Sequence, residues 1–298
     1  MRAPPPRSPE ARPDAPERYP GEASESPVTA MPWQDWRRAT SARIALGRAG
    51  VAIPTDEALR FGWAHAMARD AIHTPLDLAA LEAELHAAGH ATLRAHSRAS
   101  DRTTYLRRPD LGRQLDPAAA ESLRAWAAQA GPAPDLCVVV GDGLSSLAVQ
   151  RHTAPLLAAL QPRLAPGTRL APLVLVQQAR VAVADEVGEL LGARQCVILI
   201  GERPGLSSPD SLGLYLTHGP RRGRHDAERN CISNVRPEGL SYEQAAFKLA
   251  WLMQRALQLG QTGVALKDES DADAALDADA VRPALPPQST DWSDSPLP

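Results

Sequence analysis

Three short, unbroken apolar runs constrain this chain more than any other feature: LCVVV at 136–140, LVLV at 173–176 and CVILI at 196–200. A strand with one wet face alternates apolar and polar residues. Only a strand covered on both faces is apolar throughout, which is the condition of a parallel sheet with helices on either side. Helical segments separate the runs: about 145–161, about 183–191 with Gly192 as stop, and about 241–258. In the last, Ser241 and Gln244 form a capping box and Gly260 ends the helix. Leu212, Leu214 and Leu216 alternate, predicting an edge strand. The expected fold class is α/β, with a mainly parallel sheet over 133–269, preceded by a helical N-terminal region over 33–132.

That N-terminal region shows its own start and stop signals. Thr55 precedes Asp56 and Glu57, and Leu59, Trp63, Ala66 and Met67 recur at helical spacing. A second helical run covers about 76–89. Asp116-Pro117 opens a third, which stops at Gly131-Pro132. Outside these bounds the pattern fails. Residues 1–32 are rich in proline and without periodicity, and 270–298 are acidic and repetitive. Both are expected to be disordered tails, dispensable for any chemistry.

The net charge of −3 hides an asymmetry, because the segment from Asp268 onward carries −7 and the remainder +4. That mild excess is no nucleic-acid footprint. Cys137, Cys196 and Cys231 are few, odd in number and without a CxxC, which argues for a reducing compartment and against a disulfide framework or zinc site. No secretory signal and no apolar run near 18 residues is present, so the expected location is cytoplasmic, without membrane contact.

The motifs divide by specificity. GDGLSS (141–146) begins like a dinucleotide fingerprint, but Ser146 stands where the third glycine belongs. No acidic residue lies between Asp142 and Asp185 to hold a ribose, which counts against a nucleotide-binding oxidoreductase. The bland reading is a tight strand-to-helix turn with a capping serine. GERPGLSS (201–208) echoes it after the third apolar run, and ligands of open α/β sheets bind outside such strand ends. His86 and His90 have metal spacing but no third ligand, so solvated helix histidines are expected. Arg221, Arg222, Arg224 and His225 form the densest basic cluster, expected in an exposed loop. Between 180 and 240 the polar residues are dense enough to suggest a binding rim.

GERPGLSSPDSLGLYLTHGPR (201–221), AERNCISNVRPEGLSYEQAAFKLAWL (227–252), YLRRPDLGRQLDP (105–117), RRATSARIALGRAG (37–50), VVVGDGLSS (138–146) and GVALKDE (263–269) together resemble the small chain of ethanolamine ammonia-lyase. The likeness covers about 37–269. It implies a Rossmann-like subunit that covers adenosylcobalamin at the interface with a larger TIM-barrel subunit. That large subunit carries the conversion of ethanolamine to acetaldehyde and ammonia. It further implies a hetero-oligomer with several copies of each chain, and a cytoplasmic or bacterial-microcompartment residence, although the N-terminal tail departs from the family pattern.

Carried over residue by residue, the resemblance places cobalamin contacts at Val181 in ARVAV, Glu202 in GERPG and Cys231 in RNCISN. Glu202 suits the amide donors of a corrin rim, Val181 offers main-chain and apolar contact, and Cys231 a small, weakly polar surface on a facing loop. Their structural alternatives are an ion pair of Glu202 with Arg203 or Arg229, a core position for Val181, and a buried small hydrophobe at Cys231. No catalytic residue and no protein metal ligand is expected. The base-replacing loop D-x-H-x-x-G has no true copy, since the near match at 84–89 lies in a helical run. This agrees with base-on binding of the cofactor, which the resemblance implies. A scaffold that never touches cofactor is the competing function.

Overall fold

A computed structural model describes residues 27–271. The expectations for the two tails fall almost wholly outside these residues. The chain divides into two compact units, one running to Trp63 and one from Ala64 onward. In the first, β1 (Val28–Thr29) pairs antiparallel with β2 (Arg48–Ala49), and α1 (Thr55–His73) begins. Its buried residues are Ala45, Pro54 and Glu57. Glu57 is held between Arg37 (2.8 Å) and Arg60 (2.9 Å), so a carboxylate rather than an apolar cluster sits at its centre.

The second unit continues with α2 (Leu78–Ala87), β3 (Thr92–His96), α3 (Arg102–Arg107), α4 (Pro117–Gln129), β4 (Leu136–Gly141), α5 (Ser146–Leu160), β5 (Leu173–Gln177), α6 (Val183–Leu190), β6 (Gln195–Gly201), β7 (Leu212–His218), β8 (Asn230–Val235) and α7 (Tyr242–Leu259). Six strands form one mixed sheet in the order β3-β5-β4-β6-β7-β8. β3, β5, β4 and β6 are parallel, β7 runs against β6, and β8 runs against β7.

The apolar runs form β4, β5 and β6, and consecutive residues in them feed opposite faces. Val138, Val140, Leu175 and Leu199 point into a cluster with Leu85 of α2, Leu156 of α5 and Leu249 of α7. Val139, Val174, Val176 and Ile198 point the other way, against Leu123 of α4 and Val183 and Val187 of α6. Full burial of such a side chain contributes roughly 1.5–3 kcal/mol. This double coverage is what makes the runs continuous.

Three expectations are corrected. β7 is an interior strand: its leucines pack into the core while Gly213, Tyr215 and Thr217 occupy the other face. The edges are β8, in a stretch read as a loop, and β3, in a stretch read as helical. Among the described residues, no helix is long and apolar enough to cross a membrane.

Candidate functional site

After β4 the chain passes through α5 to β5 on one side, then through α6 to β6 on the other. Strand order reverses at β4, and the loops leaving the carboxyl ends diverge to open a crevice. A cleft of ≈ 420 Å³ lies there, its walls including Tyr105, Arg180, Val181, Glu202, Arg203 and Tyr215.

The two echoing glycine turns form its floor and touch each other. Leu144 N donates to the Gly201 carbonyl at 2.9 Å. A Cβ on Gly201 would stand 2.6 Å from the Ser145 carbonyl carbon and 2.8 Å from the Asp142 oxygen, all main chain. Gly143 adopts a φ of +60°, and a Cβ there would stand 2.8 Å from Gly201 N. The repeat is thus a packing device. Ser145 caps α5 through Ala148 N (3.4 Å) and donates to the Pro209 carbonyl (2.9 Å), so the bland reading of GDGLSS holds.

Asp142, 5% exposed, fastens the first turn to the segment after β5. Its carboxylate accepts from Gln178 N and Ala179 N, both at 2.9 Å. Burial raises its pKa, against the pull of those two donors. The segment so held presents Arg180 and Val181. The Arg180 guanidinium lies 4.2 Å from the Tyr105 ring centre, and its Nη2 donates to the Tyr105 carbonyl at 3.1 Å. Its Nε is buried and has no hydrogen-bond partner among the described residues. Arg102 lies 4.7 Å from the same ring, fixed by the carbonyls of Ile72 and Gly143 at 2.7 Å each. Tyr105 is itself buried, and burial pushes its hydroxyl up to about 12.

Glu202 is the first residue beyond β6. Its N–H donates to the Ser211 carbonyl (3.0 Å), and its Oε2 accepts from Asn234 N (3.1 Å). Oε1 lies over Gly213, where a Cβ would approach to 3.0 Å. Neither proposed arginine claims it: Arg229 pairs with Asp185 and, at 2.7 Å, with Asp226, while Arg203 is exposed. Cys231 belongs to β8 rather than a loop, because the NCIS stretch pairs with β7 and places Cys231 opposite Tyr215. It is exposed, yet partial shielding raises its thiol pKa, and burial followed by Cys231 raises that of Tyr215.

The fold therefore brings Val181 and Glu202 into one cleft, with Cys231 a strand away across Tyr215. Sequence reasoning missed Tyr105, Arg180, Gly213 and Tyr215. All four stood within quoted motifs, where nothing local singled them out; Gly213 and Tyr215 were also the intervening positions of the β7 alternation. Much of the polar density between 180 and 240 is internal. Glu186 accepts from Leu115 N (2.9 Å) and pairs with Arg222, Asp185 pairs with Arg229, and Glu228 with Arg224. None of these lines the cleft, and within the basic cluster Arg222 and Arg224 are engaged with acidic partners. His86 contacts Thr92 Oγ1 at 2.7 Å, and no metal-binding group occurs among the described residues. A larger cavity of ≈ 610 Å³ sits at the opposite, amino end of the strands, between Asp135, Arg194 and Gln195 and the flank of α7 that carries Phe247, Trp251 and Leu257.

Residues 30–267 match the family described as ethanolamine ammonia-lyase light chain. The chain is 62% identical over 247 residues to the ethanolamine ammonia-lyase small subunit of Azotobacter vinelandii, covering 83% of this chain and 92% of that one. It is 61% identical over 245 residues to the same subunit of Ralstonia nicotianae (82% and 91%), and 58% identical over 252 residues to that of Pseudomonas aeruginosa (84% and 92%).

Proposed function

Because the chain belongs to the ethanolamine ammonia-lyase light-chain family, we propose that it is the small subunit of an adenosylcobalamin-dependent lyase that converts ethanolamine to acetaldehyde and ammonia, and that it covers the cofactor where it meets a TIM-barrel large subunit. The observation that carries this is the cleft at the carboxyl ends of β4, β5 and β6, walled by Val181 and Glu202. The four parallel strands act as a Rossmann-like cradle, preceded by the largely helical N-terminal region.

The residues present fit a corrin rim, which is ringed by amides that both donate and accept. Glu202 lines the cleft and offers a carboxylate for amide N–H groups, and the Arg180 guanidinium in the same wall offers N–H donors for an amide oxygen. Val181 supplies apolar and main-chain contact, and Cys231 a small surface beside Tyr215. The cofactor supplies radical chemistry to the substrate held by the large subunit. This chain places and shields: its preorganised turns hold the acceptor and donor in position and keep water from the covered face. In this reading the cofactor keeps its own base, the base-on form the family resemblance implies. Several copies of each chain make the working assembly, in the cytoplasm or within a bacterial microcompartment.

The test is Glu202→Gln in the assembled enzyme. The variant keeps an acceptor for Asn234 N–H but removes the charge. A hydrogen bond to a charged group contributes roughly 1.5–3 kcal/mol, so cobalamin affinity is expected to weaken about tenfold or more. The melting temperature should hardly move, because Glu202 makes no ion pair among the described residues. Unchanged affinity with a lowered melting temperature would remove Glu202 from the cofactor site.

A further inference from the structure

The first unit is built with its polarity reversed. Between 27 and 63 the buried positions are Ala45, Pro54 and the carboxylate Glu57. The large apolar side chains face outward: Trp36 and Leu59 are each 69% exposed, Trp63 70%, Ile53 63% and Trp33 48%. Leu59 and Trp63 are four apart on α1 and share a face, while Trp33 precedes and Trp36 lies within the 3₁₀ turn Gln34–Arg38, whose Arg37 grips Glu57. A segment this short with no apolar core is not stabilised by its own burial, and folds of this size usually depend on a partner.

From these exposures we infer that residues 33–63 form the docking surface for the large subunit of the same lyase, an inference that rests on the small-subunit reading above. A fully exposed aromatic ring presents ~150–250 Å²; scaled by the partial exposures of these side chains, the set offers roughly 500–700 Å² of apolar surface, most of the ~800 Å² each partner contributes to a standard interface. The composition is that of interface anchors. Three of the chain's six tryptophans lie here, with five arginines and no lysine between 27 and 63. Three acidic residues leave this stretch with a surplus of +2, so the complementary surface is apolar with carboxylates at its rim.

The experiment is quantitative capture of the full-length chain by its large subunit, comparing wild type with Leu59→Glu/Trp63→Glu and, separately, Trp36→Gln. These side chains are exposed, so the melting temperature of the free chain should be retained; if the double variant unfolds, the single one decides. The expected result is at least a tenfold loss of affinity for the large subunit in either variant. Equal capture of wild type and variants would overturn the docking surface while leaving the small-subunit reading intact. Failure of wild type itself to be captured would overturn that reading. Unaltered capture, with loss of self-association or of binding to anionic lipid vesicles, would reassign the surface to a second copy or to a membrane.

Discussion

Gly201 shows how little freedom the site leaves to single residues. A methyl group there meets main chain on two sides, from Ser145 and Asp142, and neither can rotate away. Gly201→Ala should cost about 1–3 kcal/mol or more, read from urea unfolding, and should also weaken cobalamin binding because the two turns must part. His152 makes a different case. It is 4% exposed, its Nδ1 lies 2.8 Å from the Tyr242 hydroxyl, and its Nε2 is 3.7 Å from Asp210, in the loop that follows Glu202. Burial lowers its pKa more than Asp210 raises it. A histidine whose folded pKa lies below the unfolded value of about 6.5 contributes stability that is complete above that pH. The contribution is lost as pH falls through the folded pKa. A histidine NMR titration should show one ring, absent in His152→Gln, with a midpoint below 6.5. A midpoint at or above that value would contradict this.

At the level of elements, the sequence disclosed what is buried on both sides and hid what is not. β4, β5 and β6 announce themselves as unbroken runs because helices cover each face. β3 and β8 sit at the two edges of the sheet, where one side of the ladder is unpaired. β3 reads TLRAH, and its Arg94 turns outward to Glu82; β8 reads NCISNV and is half exposed. Neither has a run to detect. β7 alternates, and alternation suggested an edge, yet its second face is occupied by the polar site rather than by solvent. Capping, by contrast, is local and was legible: the Ser241–Gln244 box is present at α7, with Gly260 in the left-handed conformation at its end. Ser241→Ala should cost about 1 kcal/mol in unfolding experiments without altering assembly. Of the cleft, Val181 and Glu202 stood in motifs the sequence singles out, whereas Arg180 and Tyr105 depend on a contact between segments 75 residues apart in sequence, which no local pattern encodes.

For the whole molecule, division of labour is the issue. No constellation of base, nucleophile and metal is assembled in the cleft; it offers an acceptor, a donor and shape. The purified chain supplied with adenosylcobalamin and ethanolamine should therefore form no acetaldehyde, and activity should appear only with the large subunit. The competing whole-molecule reading is a scaffold that never meets cofactor. Equilibrium titration of adenosylcobalamin into the large subunit alone, into this chain alone, and into the assembled pair separates the two most directly. The expected result is binding at least tenfold tighter in the pair than in either chain, as a cofactor covered from both sides requires. If the large subunit alone binds as tightly as the pair, this chain contributes nothing to the cofactor site.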